Sequence, residues 1–170
     1  MPATRRIVAG ISGSPGSVHA LRQAAALARQ HEAPLIVVHT WLPPDSRRLP
    51  WPELRQLWED DAWQRLWDTL DRAFGGLPAE PATQPAVLCG RPGAVLTGLA
   101  RQDGDLLVIS AGRRAPLRLP GGPVSRYCLA HACCPVLAIP PPALAQHASH
   151  RLRTWAWRHH GLGLDTAQPA

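Results

Sequence analysis

Residues 108–127, VISAGRRAPLRLPGGPVSRY, run from an apolar stretch through a loop rich in arginine and glycine to the start of a helix. Loops of this kind bind phosphate, because backbone N–H groups and the positive end of the helix dipole both point at the anion. The guanidinium groups of Arg113 and Arg114 could add paired hydrogen bonds to phosphate oxygens. Pro123 weakens the pattern, since proline has no N–H to donate. The loop therefore predicts an anion site that lacks one backbone donor.

Short apolar runs alternate with helical patterns along the chain, and these elements must position the loop. Five runs predict strands, each bounded by glycine, proline or polar residues. Strands that are apolar throughout and alternate with helices are typical of a parallel sheet covered on both faces. The predicted strands are residues 5–12, 35–39, 86–89, 105–110 and 135–139. The first predicted helix begins at an N-cap, Ser17, and the other three lie at 52–74, around 95–100 and at 123–132.

The order of the strands decides where a ligand would bind. In open parallel sheets, ligands bind beyond the carboxyl ends of the strands, at the point where the strand order reverses. This rule predicts that the turn at Ser12 and the loop from Ser110 to Ser125 lie side by side.

Composition excludes several classes of function. The 170 residues and a hydrophobic fraction of 45% are sufficient for one domain with a substantial core. All 18 basic residues are arginine and the formal net charge is +6, but the arginines are scattered, so we predict no nucleic-acid partner. No apolar run approaches the roughly 20 residues that a membrane span needs, and we expect a cytoplasmic protein whose four cysteines are reduced thiols.

Six short segments, in unbroken order over roughly residues 4–140, follow a known family pattern. They are IVAGISGSP at 7–15, VHTW at 38–41, GRP at 90–92, DLLV at 105–108, GPVS at 122–125 and HACCPV at 131–136. Together they resemble the universal stress protein (UspA-like) family. The resemblance implies an α/β fold with a doubly wound, five-stranded parallel sheet of order 3-2-1-4-5 and helices on both faces, as in Rossmann-like adenine-nucleotide α-hydrolases. It also implies a universal-stress-type domain at residues 1–140, a tail at 141–170, and a homodimer joined along the last strand, Val136 to Ile139.

Many members of that family bind ATP or AMP with a loop written G-x2-G-x9-G-(S/T) and an aspartate at the end of the first strand. Laid on this chain, the loop glycines fall on Ile109, Gly112 and Gly122, the hydroxyl residue on Pro123 and the aspartate on Ser12. The resemblance implies that an adenine nucleotide, ATP or AMP, would contact Ser12, Val38, Gly112, Arg113, Arg114, Gly122 and Ser125.

Three of the aligned positions depart from the family pattern. Ile109 brings a β-branched side chain where a glycine would let the backbone approach a ligand. Pro123 removes one N–H and one hydroxyl that would face phosphate. Ser12 lacks the carboxylate that would bind a hard cation such as Mg²⁺, so we expect no metal.

These departures favour a stress-response binding or signalling module with an eroded ATP-binding loop and no catalytic residues. The alternative is a true sensor of ATP or AMP, in which arginines replace the lost donors, with or without slow ATP hydrolysis. No nucleophile and base are held together by a third group in the predicted cleft. We interpret His39 as a core or rim histidine rather than a base.

A cluster of potential zinc ligands, C-x2-H-x-C-C, is formed by Cys128, His131, Cys133 and Cys134. Its spacing lacks the separated ligand pairs of a structural zinc site. We interpret the cysteines as buried thiols near the start of the last strand. Exposure of Cys133 and Cys134 would instead favour oxidation sensing.

Two further surfaces are candidates for an unknown protein partner. Trp63 and Trp67 lie one helical turn apart beside an apolar stripe, and they either widen that stripe or form an exposed patch. The C-terminal tail has an apolar helical face and a basic one, which suits an acidic partner or packing on its own domain. The stripe that we expect to face the sheet comprises Leu54, Trp58, Ala62, Leu66, Leu70 and Phe74.

Overall fold

The computed structural model describes residues 4–43, 52–112 and 121–142. Strands and helices alternate strictly within these ranges. They are β1 (Arg6–Ile11), α1 (Pro15–Gln30), β2 (Leu35–Trp41), α2 (Pro52–Phe74), β3 (Thr83–Cys89), α3 (Pro92–Leu99), β4 (Asp105–Ser110), α4 (Pro123–His131) and β5 (Val136–Ile139). In α2, side chains are described from Arg55 onward.

The five strands form one parallel sheet of order β3-β2-β1-β4-β5. This order confirms the predicted doubly wound architecture. The order reverses between β1 and β4, because β1 leads outward to β2 on one side and β4 leads to β5 on the other. The crevice predicted for a ligand therefore opens at the carboxyl ends of β1 and β4.

Two hydrophobic cores lie on opposite faces of the sheet. Successive side chains of a strand point to opposite faces, and this places Ile7 in one core and Val8 in the other. Helices α1 and α2 cover the first core, and α3 and α4 cover the second. Buried side chains include Ile7, Leu21, Leu35, Leu66 and Leu70 in the first core and Val8, Val38, Leu96, Leu107 and Cys128 in the second.

Close packing of α3 on the sheet depends on Gly10. A Cβ atom at this position would lie 2.6 Å from Cδ1 of the buried Leu96. Gly10 pairs with Val38 on one side and with Ile109 on the other, in the middle of the sheet. The absence of a side chain thus lets α3 approach β1 where the sheet is most crowded.

Helix α1 begins earlier than the sequence predicted. Its N-cap is Ser14, whose Oγ accepts a hydrogen bond from the N–H of Ser17 at 3.2 Å, and Pro15 occupies the first turn. Ser17 is buried inside that turn and donates its own hydroxyl to Ser14 O at 2.9 Å. The prediction of Ser17 as N-cap was wrong because Ser14 followed by proline is the better start signal.

Strands β2 and β3 are longer than predicted. β2 continues to Trp41, and β3 begins at Thr83 and includes Pro85. Proline within a strand is tolerated at a sheet edge, where its missing N–H removes no ladder hydrogen bond. β3 is such an edge strand, so pairing with β2 extends through the proline.

A buried ion pair fixes the amino end of β4 against β1. The Arg6 guanidinium donates to both carboxylate oxygens of Asp105, at 2.9 and 2.6 Å, and to Leu99 O at 3.1 Å. The N–H of Gln102 also donates to Asp105, at 3.0 Å. Burial alone would raise the pKa of Asp105, but the hydrogen bonds from Arg6 and Gln102 outweigh it and lower the pKa below its ordinary value.

Candidate functional site

The crevice lies where the turn after β1 meets the turn after β4. Gly16, in the first turn of α1, packs so closely on the end of β4 that a Cβ on it would lie 3.5 Å from Ser110 Oγ. The same Cβ would lie 3.6 Å from Pro141 Cβ, just beyond β5. The predicted neighbourhood of the Ser12 turn and the Ser110 loop is therefore present.

The two described ends of the β4–α4 loop close on each other through glycines. Gly122 N–H donates to Ala111 O at 2.8 Å, and a Cβ on Gly112 would lie 2.9 Å from Gly122 N. Gly112 has a φ of 74°, in the left-handed region that favours glycine. Gly112 is thus needed where the loop ends meet, whereas a Cβ on Gly122 would make only an ordinary contact, 3.7 Å from Gly112 Cα. Arg113 and Arg114 lie outside the described residues.

Ser125 closes the same loop from within α4. It is 2% exposed, and its hydroxyl lies 3.1 Å from Ala111 O and 3.0 Å from Gly122 O. Since carbonyl oxygens only accept, the hydroxyl hydrogen is directed to the loop backbone. Ser125 therefore links α4 to the end of β4, a long-range role that its position in the sequence did not reveal.

The first turn of α4 retains two backbone donors. Gly122 is the N-cap without a side-chain cap, and Pro123 follows it in the first turn. The first backbone hydrogen bond of the helix runs from the N–H of Arg126 to Gly122 O, at 3.0 Å. The N–H groups of Val124 and Ser125 precede it and have no such partner in the helix. They are the donors that α4 can offer to an anion.

Ile109 and Val38 belong to the core and not to the crevice. Ile109 is 2% exposed and Val38 is fully buried, both in the core under α3 and α4. The predicted steric block of a ligand by Ile109 is therefore wrong, because its side chain packs beside Gly10. The burial of Val38 likewise excludes a side-chain contact between this residue and a nucleotide.

Ser12 is exposed just after the end of β1, at the position where the motif resemblance implies a carboxylate. Its Oγ lies 3.2 Å from Ser14 Oγ. Among the residues that the structure describes, no group of three His, Cys, Asp or Glu side chains could hold a metal ion. The neutral hydroxyl of Ser12 does not fit Mg²⁺, which prefers carboxylate oxygens.

The backbone on both sides of Ser12 is held by side chains. His39 Nδ1 lies 3.3 Å from Ile11 O, and Arg72 Nη1 donates to Gly13 O at 2.9 Å. Burial lowers the pKa of His39 and nearby Arg65 lowers it further, against the opposing effect of the Ile11 carbonyl. Because a carbonyl accepts, Nδ1 of the neutral imidazole carries the hydrogen in this contact. His39 is thus a satisfied buried histidine, as the sequence indicated.

The cysteine and histidine cluster divides between core and surface. Cys128 is fully buried, and burial raises the pKa of its thiol to about 11. Cys133 is exposed and Cys134 is partly buried, so the prediction of buried thiols is correct for Cys128 and wrong for Cys133. His131 is exposed and stacks on Tyr127, with ring centroids 4.1 Å apart.

The aromatic pair of α2 also divides. Ala62, Leu66 and Leu70 face the core as predicted. Trp63 packs at the edge of that core, whereas Trp67 is 44% exposed and stacks on Trp63 with centroids 6.3 Å apart. The side chain of Leu54 and the tail from residue 143 onward lie outside the described residues.

In the ranges that the structure describes, no helix combines the length and apolar character required to cross a membrane.

Comparison with known proteins supplies the family. Residues 3–140 match the universal stress protein family. Universal stress protein Rv2623 of Mycobacterium tuberculosis is 31% identical over 145 residues, covering 78% of this chain and 46% of the relative. The chain thus spans about half the length of that relative.

Similar solved structures support the fold. A universal stress protein in complex with cAMP is 22% identical, with 82% of this chain and 99% of that chain covered and a TM-score of 0.62. The universal stress protein of Archaeoglobus fulgidus in complex with dAMP is 21% identical, with 81% and 98% covered and a TM-score of 0.52. Together, the sheet order, the glycine-closed loop and the match over residues 3–140 establish that this chain belongs to the universal stress protein family.

Proposed function

We propose that this chain is a stress-response binding module whose crevice does not hold Mg·ATP in the manner of ATP-binding family members. The observation that carries the proposal is the chemistry of the two crevice walls. One wall offers the neutral hydroxyl of Ser12, and the other begins α4 with Pro123. A metal-bound triphosphate would lack a carboxylate for its cation on the first wall and one backbone donor on the second.

The loop hydrogen bonds strengthen this proposal. The N–H of Gly122 and the hydroxyl of Ser125 already bond within the loop. The donors that remain in the first turn of α4 are the N–H groups of Val124 and Ser125. Two backbone N–H donors are sufficient for one phosphate group but not for the three phosphate groups of ATP. The described residues of the crevice pair no nucleophile with a base, and we propose binding rather than catalysis as the activity.

A second candidate function is binding of ATP or AMP without metal. The two free donors of α4 favour it, as do the similar universal stress proteins solved with cAMP and with dAMP. Arg113 and Arg114 would then supply the positive charge, and Ser12 would lie near the base or ribose. Slow ATP hydrolysis is disfavoured by the missing carboxylate.

We further propose that residues 1–140 form the universal-stress-type domain, with 141–170 as a tail, and that the chain forms a homodimer through Val136–Ile139. β5 is an edge strand without proline, and Leu137 is 37% exposed on it. The opposite edge, β3, carries Pro85, which discourages strand addition. Trp67 and the tail remain candidate surfaces for a protein partner, and a cytoplasmic location remains an expectation.

Calorimetry with a restored site tests the proposal. The double substitution Ser12→Asp and Pro123→Ser returns the carboxylate, the N–H and the hydroxyl, and we expect it to bind Mg·ATP with micromolar affinity while the wild type shows no heat. Gln23→Asp, on the exposed side of α1, adds the same charge away from the crevice and should not restore binding. Micromolar binding of Mg·ATP by the wild type would overturn the proposal.

A further inference from the structure

We infer that Arg72 and His39 are positioning residues that hold position 12 at the crevice wall. The inference rests on the proposed function, since it concerns the same crevice. It assigns to α2 and β2 a role in the site. Arg72 lies outside the six family segments, and His39 lies within one of them, VHTW at 38–41.

Two side chains donate hydrogen bonds to the backbone carbonyls of the turn that carries Ser12. The guanidinium of Arg72 donates to Gly13 O at 2.9 Å, immediately after Ser12. His39 donates from Nδ1 to Ile11 O at 3.3 Å, immediately before Ser12. The exposed serine thus lies between two peptide units that are held by hydrogen bonds, and its own hydroxyl lies 3.2 Å from Ser14 Oγ.

Arg72 is itself fixed by α1. Arg22 donates from Nε to Ala73 O at 3.0 Å and from Nη2 to Arg72 O at 2.9 Å. These carbonyls belong to the last turn of α2, where helix carbonyls have no partner within the helix and attract a cation. Arg22 therefore holds the end of α2 from which Arg72 reaches the turn.

The turn lies beside α2 at ordinary van der Waals distance, and its backbone conformation favours glycine at position 13. Gly13 has a φ of 74°, and a Cβ on it would lie 3.8 Å from the hydroxyl of Thr69. Thr69 is 1% exposed and donates its hydroxyl to Arg65 O at 2.7 Å, so it does not compete for the turn. Position 12 is therefore restrained through the carbonyls on both sides of it, and a carboxylate placed there by substitution would extend from a restrained backbone.

Amide hydrogen exchange in the ligand-free protein tests the inference. The reporters are the N–H groups of Ser17 and Val18, which bond to Ser14 O at 2.9 and 3.0 Å just beyond the turn. Loss of one hydrogen bond by Arg72→Gln should speed their exchange about five-fold. Arg72→Lys keeps a donor and should restore part of the protection. Arg55→Gln, on an exposed part of α2, is the control and should leave the rates unchanged.

The pattern of exchange separates positioning from general stability. Acceleration confined to the turn and the start of α1 supports the inference. Equal acceleration of the amides of β2 and β4 would mean that Arg72 only stabilises the fold, and unchanged exchange in Arg72→Gln would mean that the contact holds nothing. Either of these two results overturns the inference.

A binding measurement adds the functional readout. In the background of Ser12→Asp with Pro123→Ser, Arg72→Gln should weaken Mg·ATP binding about five-fold, Arg72→Lys should recover part of the loss, and Arg55→Gln should have no effect. Equal affinity with and without Arg72→Gln would overturn the role of Arg72 in the site. If the double variant binds no nucleotide, the proposed repair of the site fails, and the exchange experiment alone decides the positioning role.

Discussion

The hydroxyl of Ser125 joins two parts of the fold that are not adjacent in the sequence. Its hydroxyl lies within hydrogen-bond distance of the carbonyls of Ala111 and Gly122, so α4 is joined to the end of β4 across a loop. The family resemblance implied Ser125 only as a contact of an adenine nucleotide. The contact with Ala111 depends on the fold, and no local pattern encodes it.

Removal of this hydroxyl gives a prediction at the residue scale. Ser125→Ala deletes one buried hydrogen bond and should lower the free energy of unfolding by about 1 kcal/mol, as measured by urea denaturation. Ser12→Ala removes an exposed hydroxyl and should change the stability by less than about 0.5 kcal/mol. Equal stability of the two variants would contradict the role assigned to Ser125.

His39 gives a prediction about pH. Its folded-state pKa lies below the ordinary value of 6.5, so as the pH falls below 6.5 the unfolded chain takes up a proton before the native imidazole does. The free energy of unfolding should therefore decrease as the pH falls through that range. Urea denaturation at a series of pH values measures the slope. His39→Asn should lose the contribution, whereas His31→Asn, at an exposed position, should retain it.

At the scale of elements, the sequence predicted the presence and type of each strand and helix more accurately than the residue at which each one begins. The apolar runs identified all five strands, and the bounds of α2 and β4 are correct. The start of α1 was misplaced because Ser14 and Ser17 both have the chemistry of an N-cap, and packing selects Ser14. The start of β3 was missed because Pro85 interrupts the local pattern, whereas pairing with β2 at a sheet edge tolerates it.

The ion pair at the start of β4 carries a prediction for an element. Asp105→Asn leaves the partly buried guanidinium of Arg6 without its counter-charge and should lower the free energy of unfolding by about 2 kcal/mol. Asp103→Asn, at an exposed neighbouring position, should have little effect. Because the pKa of Asp105 is lowered in the fold, the contribution is present above its ordinary value of 3.8 and is lost as the pH falls through the folded pKa. Wild-type stability in the Asp105 variant would contradict this account.

At the scale of the whole molecule, the sheet order and the family could be predicted, whereas the distribution of crevice residues could not. The alternation of strands and helices predicted a parallel sheet, and the motif resemblance implied the order β3-β2-β1-β4-β5 that the structure has. Alignment placed Ile109 and Val38 in the site, but the pleat of the strands turns both side chains into the core. The sequence did not predict the hydrogen bond from Arg72 to the turn after Ser12, because Arg72 is 59 residues from Gly13 in the chain.

The proposed dimer gives a prediction at this scale. Leu137→Asp places a charge on the exposed side of β5 and should convert the dimer to a monomer, as measured by sedimentation equilibrium over a range of protein concentrations. Gln84→Asp adds the same charge at the opposite edge, on β3, and should leave the dimer intact. A wild type that sediments as a monomer, or dissociation by Gln84→Asp alone, would contradict an interface through β5.

The central proposal is that Ser12 and Pro123, on the two described crevice walls, replace groups that would hold Mg·ATP. Titration calorimetry of the wild-type protein with ATP, in the presence of Mg²⁺ and again in the presence of EDTA, tests it most directly. The account predicts that Mg²⁺ does not promote ATP binding, because neither wall offers a carboxylate to the cation. Micromolar affinity for ATP that appears with Mg²⁺ and disappears with EDTA would contradict it.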